Sequence, residues 1–98
     1  MGNSLRSAQF LMESRLADAS RGNSDACYDL GIAYSCGTGG VDVDLVQAHK
    51  WFNLAALGGN AEGQALRAEV AEEMTPQQIS EAQRQARAWL SGQSAVLN

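Results

Sequence analysis

The chain has 98 residues, a formal net charge of −4, 45% hydrophobic residues and a single proline. This length predicts one domain with a modest core, and the hydrophobic content excludes a disordered protein. The seven Lys and Arg residues are scattered, which argues against a nucleic-acid-binding surface. No apolar run approaches the roughly 20 residues of a membrane span, and the N-terminus lacks the apolar core of a signal peptide. We therefore expect a cytoplasmic protein without membrane contact.

The apolar residues recur at helical spacing in five segments, which predicts five helices. No segment alternates apolar and polar residues as a strand does. The predicted helices cover residues 5–21, 24–36, 45–57, 61–73 and 76–90. The apolar stripe of the first helix consists of Leu5, Ala8, Met12, Leu16 and Ala19. We expect an all-α fold in which antiparallel helical hairpins stack as a short α/α solenoid.

Two Gly-Asn pairs mark the turns between these helices. Gly22-Asn23 recurs 37 residues later as Gly59-Asn60. Glycine ends one helix in a left-handed conformation, and asparagine caps the next by accepting from free N–H groups. A fixed period in the thirties is typical of helical-hairpin repeats.

Two further helix starts fit a capping box, in which two residues three positions apart cap each other. Asp44 pairs with Gln47 before the third helix, and Thr75 pairs with Gln78 before the fifth. Pro76 then occupies the first helical position, where its missing N–H costs nothing.

The glycine-rich segment 37–44 resembles a nucleotide-binding or calcium-binding loop only superficially. It lacks the Gly-Lys-Ser/Thr ending of a phosphate loop, and no strand precedes it. Asp42 and Asp44 alone are too few ligands for calcium. We interpret the segment as a helix-to-helix turn with Val41 in the core, and we expect no metal and no cofactor.

Cys27 and Cys36 lie at opposite ends of the second predicted helix, about 13 Å apart along its axis. A disulfide needs Cα atoms within about 7 Å. We therefore expect two reduced thiols, with Cys27 as a packing residue and Cys36 at the edge of a loop. A redox pair is the alternative.

Little in the sequence points to catalysis. His49 is the only histidine, which argues against a histidine-rich metal site or a Ser-His-Asp triad. We expect Lys50 on a solvated helix face. Trp51 and Phe52 have the helical spacing of core residues, although such a pair can also anchor a ligand. The sequence predicts a protein that is not an enzyme.

The central part of the chain resembles the Sel-one-like repeat (SLR) family of α/α hairpins, which are related to tetratricopeptide repeats. The positions that carry the resemblance are Ala26, Leu30, Gly31, Tyr34, Gly37, Gly39, Val41, Asp44, Ala48, Trp51, Ala55, Ala56, Gly59, Asn60 and Ala61. The resemblance implies a bacterial scaffold or adaptor that binds a protein or peptide, with no catalytic residues and no cofactor.

The resemblance also divides the single domain of residues 1–98. A complete repeat covers about 24–59, and a partial second repeat with a terminal helix covers about 60–91. The first helix, about 5–21, corresponds to the second half of a degenerate preceding repeat. In the fourth helix, Arg67 and Ala68 stand where the family has Leu-Gly, so we expect that repeat to be eroded.

The first helix of each solenoid unit lines the concave surface, which identifies a candidate binding face. On the second predicted helix this face carries Asp25, Tyr28, Asp29 and Ile32, and 37 residues later it carries Glu62, Ala65, Leu66 and Glu69. Its apolar centre and acidic edges would fit a protein or peptide with basic and apolar groups. The alternative interpretation is an ordinary solvated surface.

A second function class is self-association through the ends of the solenoid. Terminal repeats need a polar outer side, yet Phe10 and Leu11 lie off the main apolar stripe of the first helix. A homodimer through this helix is therefore the alternative hypothesis.

Overall fold

The computed structural model describes residues 2–97, with the side chains of residues 6–93. It contains five helices: α1 (Gly2–Ser20), α2 (Ser24–Cys36), α3 (Leu45–Leu57), α4 (Ala61–Ala71) and α5 (Pro76–Leu97). The predicted all-α fold is confirmed over this range. Leu5, predicted on the apolar stripe of α1, lies outside the described side chains.

Four helix bounds differ from the predicted ones. Helix α1 spans Gly2–Ser20 instead of residues 5–21. Helix α4 ends at Ala71, two residues early, and α5 continues to Leu97 instead of ending at Leu90. Gly92 lies inside α5 and is not among the glycines with positive φ.

The two Gly-Asn turns have the same geometry. Gly22 and Gly59 have φ values of 88° and 96°. The Asn23 side chain accepts from the Ala26 N–H at 3.1 Å, and the Asn60 side chain accepts from the Gly63 N–H at 2.9 Å. Both turns therefore cap the following helix as predicted.

The two predicted capping boxes have different outcomes. Thr75 and Gln78 cap each other reciprocally, at 3.1 and 2.9 Å. Asp44 accepts from the Gln47 N–H at 3.1 Å, but the Gln47 amide donates to the Gln85 side chain at 2.8 Å. The second half of this box was predicted wrongly, because the Gln47 side chain joins α3 to α5 instead.

Helix α3 is the centre of the fold, since it packs against α2, α4 and α5, while α1 packs against α2. Trp51 is 2% exposed and Phe52 is 1% exposed, so both are core residues as predicted. The backbone of α2 approaches α3 so closely at Gly31 that an added Cβ would overlap the Phe52 ring.

Two clusters form the core on either side of α3. One surrounds Trp51 and includes Leu30, Ala19 and Ala86. The other surrounds Phe52 and includes Ala48, Val70, Met74 and Ala82. Ala86 and Ala82 both belong to α5, so this helix contributes to each cluster.

The expectation that Lys50 is solvated was wrong. Its ammonium group lies 4.5 Å from the Trp51 ring centroid and 5.5 Å from that of Trp89. The two indoles meet edge to face at 4.9 Å. Burial lowers the pKa of Lys50. The aliphatic stem and charged head of this lysine therefore belong to the contact between α3 and α5.

The segment between α2 and α3 is a turn in which Gly37, Gly39 and Gly40 have positive φ. It closes onto α2 through the Asp44 N–H, which donates to the Tyr34 carbonyl at 2.9 Å. Val41 is half-buried rather than fully in the core.

Candidate functional site

An open groove of about 480 Å³ lies between α2 and α4. Its apolar wall is formed by Ile32, Phe52, Leu66 and Val70. Phe52 reaches the groove from α3, and its position depends on the close approach of α2 at Gly31. The groove therefore exposes the edge of one core cluster to solvent.

The rim of the groove is polar and acidic. It is formed by Ser35, Cys36, Glu69, Glu72 and Glu73. Among the described side chains that line the groove, each charged one is a glutamate. Apolar walls beside carboxylates suit a ligand that presents an apolar side chain next to a cation.

The structure places three of the seven predicted binding residues, Ile32, Leu66 and Glu69, in the wall or rim of this groove. Tyr28 packs beside them, with its ring centroid 5.9 Å from that of Phe52. Burial and the nearby carboxylates of Glu62 and Asp29 raise the pKa of Tyr28.

The remaining predicted residues, Asp25, Asp29 and Glu62, are exposed and do not line the groove. Asp25 accepts a hydrogen bond from the Asn60 side chain at 3.3 Å, which links the start of α2 to the cap of α4. Ala65 is also exposed. Asp25, Asp29 and Glu62 extend the acidic surface toward the N-termini of α2 and α4.

Sequence reasoning missed Phe52, Val70, Glu72 and Glu73. Val70 and Glu73 follow Leu66 at steps of four and three, so the predicted helix of residues 61–73 would have placed them beside Leu66. In the structure, Glu72 and Glu73 both lie beyond the end of α4. For Phe52 the core interpretation was preferred to the ligand-anchor alternative, and a residue that is 1% exposed can still form a groove wall.

A second, more enclosed cavity of about 280 Å³ lies where the ends of α1 and α3 meet the start of α2 and the second half of α5. Its largely apolar lining includes Cys27, Leu54, Leu57, Trp89 and Leu90. Burial raises the pKa of the Cys27 thiol to about 11. This thiol therefore stays protonated and poorly nucleophilic at neutral pH.

The two thiols are free, as predicted, with Cys27 buried and Cys36 exposed. His49 is 4% exposed, and its Nδ1 atom has no hydrogen-bond partner among the described residues. Burial and the positive charge of Arg67 lower the pKa of His49. Within residues 2–97 no group of three or more His, Cys, Asp or Glu residues could hold a metal ion.

Comparison with known proteins identifies one family. The family model of the Sel1 repeat matches residues 24–60, so the predicted resemblance is confirmed for this segment, which comprises α2, the glycine-rich turn and α3. Sel1 repeats are in general non-catalytic protein-interaction modules. No curated protein and no solved structure gave a significant match to the chain. Across the described helices, none combines the length and apolar character needed to cross a membrane.

Proposed function

We propose that this protein is a non-enzymatic adaptor whose α2–α4 groove binds a peptide segment of a partner protein. The observation that carries this proposal is the apolar wall of Ile32 and Leu66 beside the carboxylates of Glu69, Glu72 and Glu73. The expected ligand carries apolar anchors with Lys or Arg beside them. A cytoplasmic location is part of the proposal.

We also infer that α4 and α5 form the partial second repeat and terminal helix of a single domain. The cap of α4 supports this inference, since the Asn60 N–H donates to the Ala55 carbonyl at 3.0 Å. The equivalent bond 37 residues earlier joins the Asn23 N–H and the Asp18 carbonyl at 3.1 Å. In this scheme α2 and α4 are equivalent helices, which agrees with a binding face that spans both.

The groove is tested by selecting peptides from a random display library on the immobilised protein. We expect the recovered sequences to combine an apolar residue with flanking Lys or Arg. Their affinity should fall as salt rises, because screening weakens the attraction to the glutamate rim. Recovered peptides without basic residues, or no recovery at all, would contradict the proposal.

A matched pair of charge reversals locates the peptide. Glu72→Lys changes the groove rim, whereas Asp42→Lys makes the same charge change on an exposed residue of the α2–α3 turn. We expect Glu72→Lys to weaken peptide binding about tenfold, and Asp42→Lys to change it much less. Equal effects would mean that only net charge matters.

The predicted aromatic anchor is tested separately. Tyr28→Ala should weaken binding more than Asp25→Lys or Asp29→Lys, because aromatic residues carry most interface energy. Tyr28 also packs on Phe52, so the folding of each variant must first be confirmed by circular dichroism. If folded Tyr28→Ala binds the peptides as the unmodified protein does, Tyr28 is outside the site.

We also propose, as a second function, self-association through α1. The specific observation is Phe10, which is 73% exposed, together with Leu11 at 46%. Packing these two side chains against another molecule would remove their apolar surface from water, which favours association.

A further inference from the structure

Helix α1 has two faces of different character. Met12, Leu16 and Ala19 pack against the core cluster around Trp51. An opposite stripe, with steps of three, four and three residues, is exposed along its length and consists of Ser7, Phe10, Ser14 and Ala17. We call this set the outer stripe of α1. Its spacing is that of the contact seam between two paired helices.

The outer stripe centres on an exposed aromatic residue. Phe10 has the largest exposed fraction among the large hydrophobic side chains that the structure describes. Burying this ring against another molecule would remove its apolar surface from water, which favours association. The small residues Ser7 and Ser14 beside it would let a second helix approach closely.

The charged residues beside the outer stripe can form ion pairs with the same residues of a second copy. Arg6 and Glu13 are both exposed and lie seven residues apart on the same side of the stripe. In an antiparallel pair of α1 helices, Arg6 of each copy faces Glu13 of the other, and the two Phe10 side chains meet near the centre. In a parallel pair, Glu13 instead faces Asp18 of the second copy, which already pairs with Arg21 at 3.0 Å, so the two Arg6–Glu13 pairs are lost.

We propose that two copies of this chain form a symmetric dimer in which their α1 helices pair antiparallel through the outer stripe. This inference rests on the proposed self-association and specifies its geometry. Two-fold symmetric dimers use the same patch on both subunits, so a self-complementary patch is what they require. The α2–α4 groove is not part of this interface.

The first test measures self-association by analytical ultracentrifugation across the micromolar to millimolar range. We expect dimers for the unmodified protein, and loss of dimerisation by more than tenfold in Phe10→Ala. Leu57→Ala is the matched control, because Leu57 is 64% exposed but belongs to α3. A monomer at every concentration would overturn both self-association and this geometry, while leaving groove binding intact.

The second test exchanges the charges. Arg6→Glu and Glu13→Arg should each weaken the dimer about tenfold, since each creates two like-charge contacts. The double variant should restore dimerisation, because the pairs are then reversed. A dimer that persists in both single variants, or a double variant that stays monomeric, would overturn this geometry while self-association through another surface remained.

The third test distinguishes antiparallel from parallel pairing by disulfide formation in a Cys36→Ser background. Phe10→Cys should cross-link under mild oxidation, because the two copies of this position meet at the symmetry axis. Ala17→Cys should not, because in the antiparallel pair its two copies lie roughly 20 Å apart along the helices. Efficient cross-linking of Ala17→Cys would indicate a parallel pair and overturn the proposal.

Discussion

Helices α2 and α4 begin with the same turn but pack differently. Both follow a Gly-Asn turn with the same cap. Helix α2 buries five residues, whereas α4 buries only Gly63 and Val70. At the position of Gly31, which contacts the Phe52 ring, α4 has the exposed Ala68. A helix cap of this kind depends on a local Gly-Asn pair. Close helix packing depends in addition on a small residue that faces a side chain far away in the sequence, as Gly31 faces Phe52.

The largest effect on stability is expected at Trp51, which packs against the well-buried helix α2 in the core. Trp51→Ala should lower the free energy of unfolding by about 3–5 kcal/mol, as large aromatic truncations in cores do. Leu57→Ala, in the same helix but 64% exposed, should change it by less than about 0.5 kcal/mol. Urea denaturation measures both. A Trp51→Ala protein as stable as the unmodified one would remove Trp51 from the core.

The close contact at Gly31 is tested by adding one carbon. Gly31→Ala should lower stability by about 1–3 kcal/mol despite the higher helix propensity of alanine, because Cβ overlaps the Phe52 ring. Gly92→Ala is the matched control, since a Cβ there meets nothing within 4 Å. It should raise stability by about 0.4–1 kcal/mol. A stabilising Gly31→Ala would show that α2 and α3 are less closely packed.

The shared caps should have similar energetic weight. Asn23→Ala and Asn60→Ala should each cost about 1 kcal/mol, because each leaves a backbone N–H without its acceptor. Thermal denaturation of the two variants tests this equivalence. A loss of stability in only one of the two variants would show that the two caps are not energetically equivalent, although their geometry is the same.

The smallest effect concerns pH. The pKa of His49 is lowered by burial and by Arg67, so the unfolded chain takes up this proton at a higher pH than the folded one. Above the ordinary histidine pKa of about 6.5, His49 is neutral in both states and makes its full contribution to the free energy of unfolding. As pH falls below that value, the unfolded chain binds the proton first, and this contribution is lost. His49→Gln should flatten this part of the pH profile. An unchanged profile would assign the acid sensitivity to other groups.

The features that local sequence determines were predicted well. The start of α2, α3, α4 and α5 coincides with the predicted position, because each has a capping residue just before it. Cys27 is buried and Cys36 is exposed, as predicted. The predicted ends of α4 and α5 were wrong because they depend on weaker stop signals. The bounds of α1 also differ, by three residues at its start and one at its end.

Features that depend on distant contacts were missed. Lys50 appeared solvated because Trp89, which lies 39 residues later, could not be placed beside it from sequence. The Gln47 side chain likewise bonds to Gln85 rather than to its own cap. For the groove, the repeat register correctly predicted Ile32 and Leu66 as lining residues. It could not predict Phe52, which belongs to α3 and therefore has no equivalent position on α2 or α4.

The central claim is that the α2–α4 groove binds a basic, apolar peptide. Titrating a peptide recovered by display selection into isotope-labelled protein, with amide chemical shifts followed by NMR, tests it most directly. We predict that the largest shift changes fall on residues around the groove, such as Ile32, Leu66 and Glu69. Largest changes around the Cys27 cavity, or along α1, would contradict this assignment.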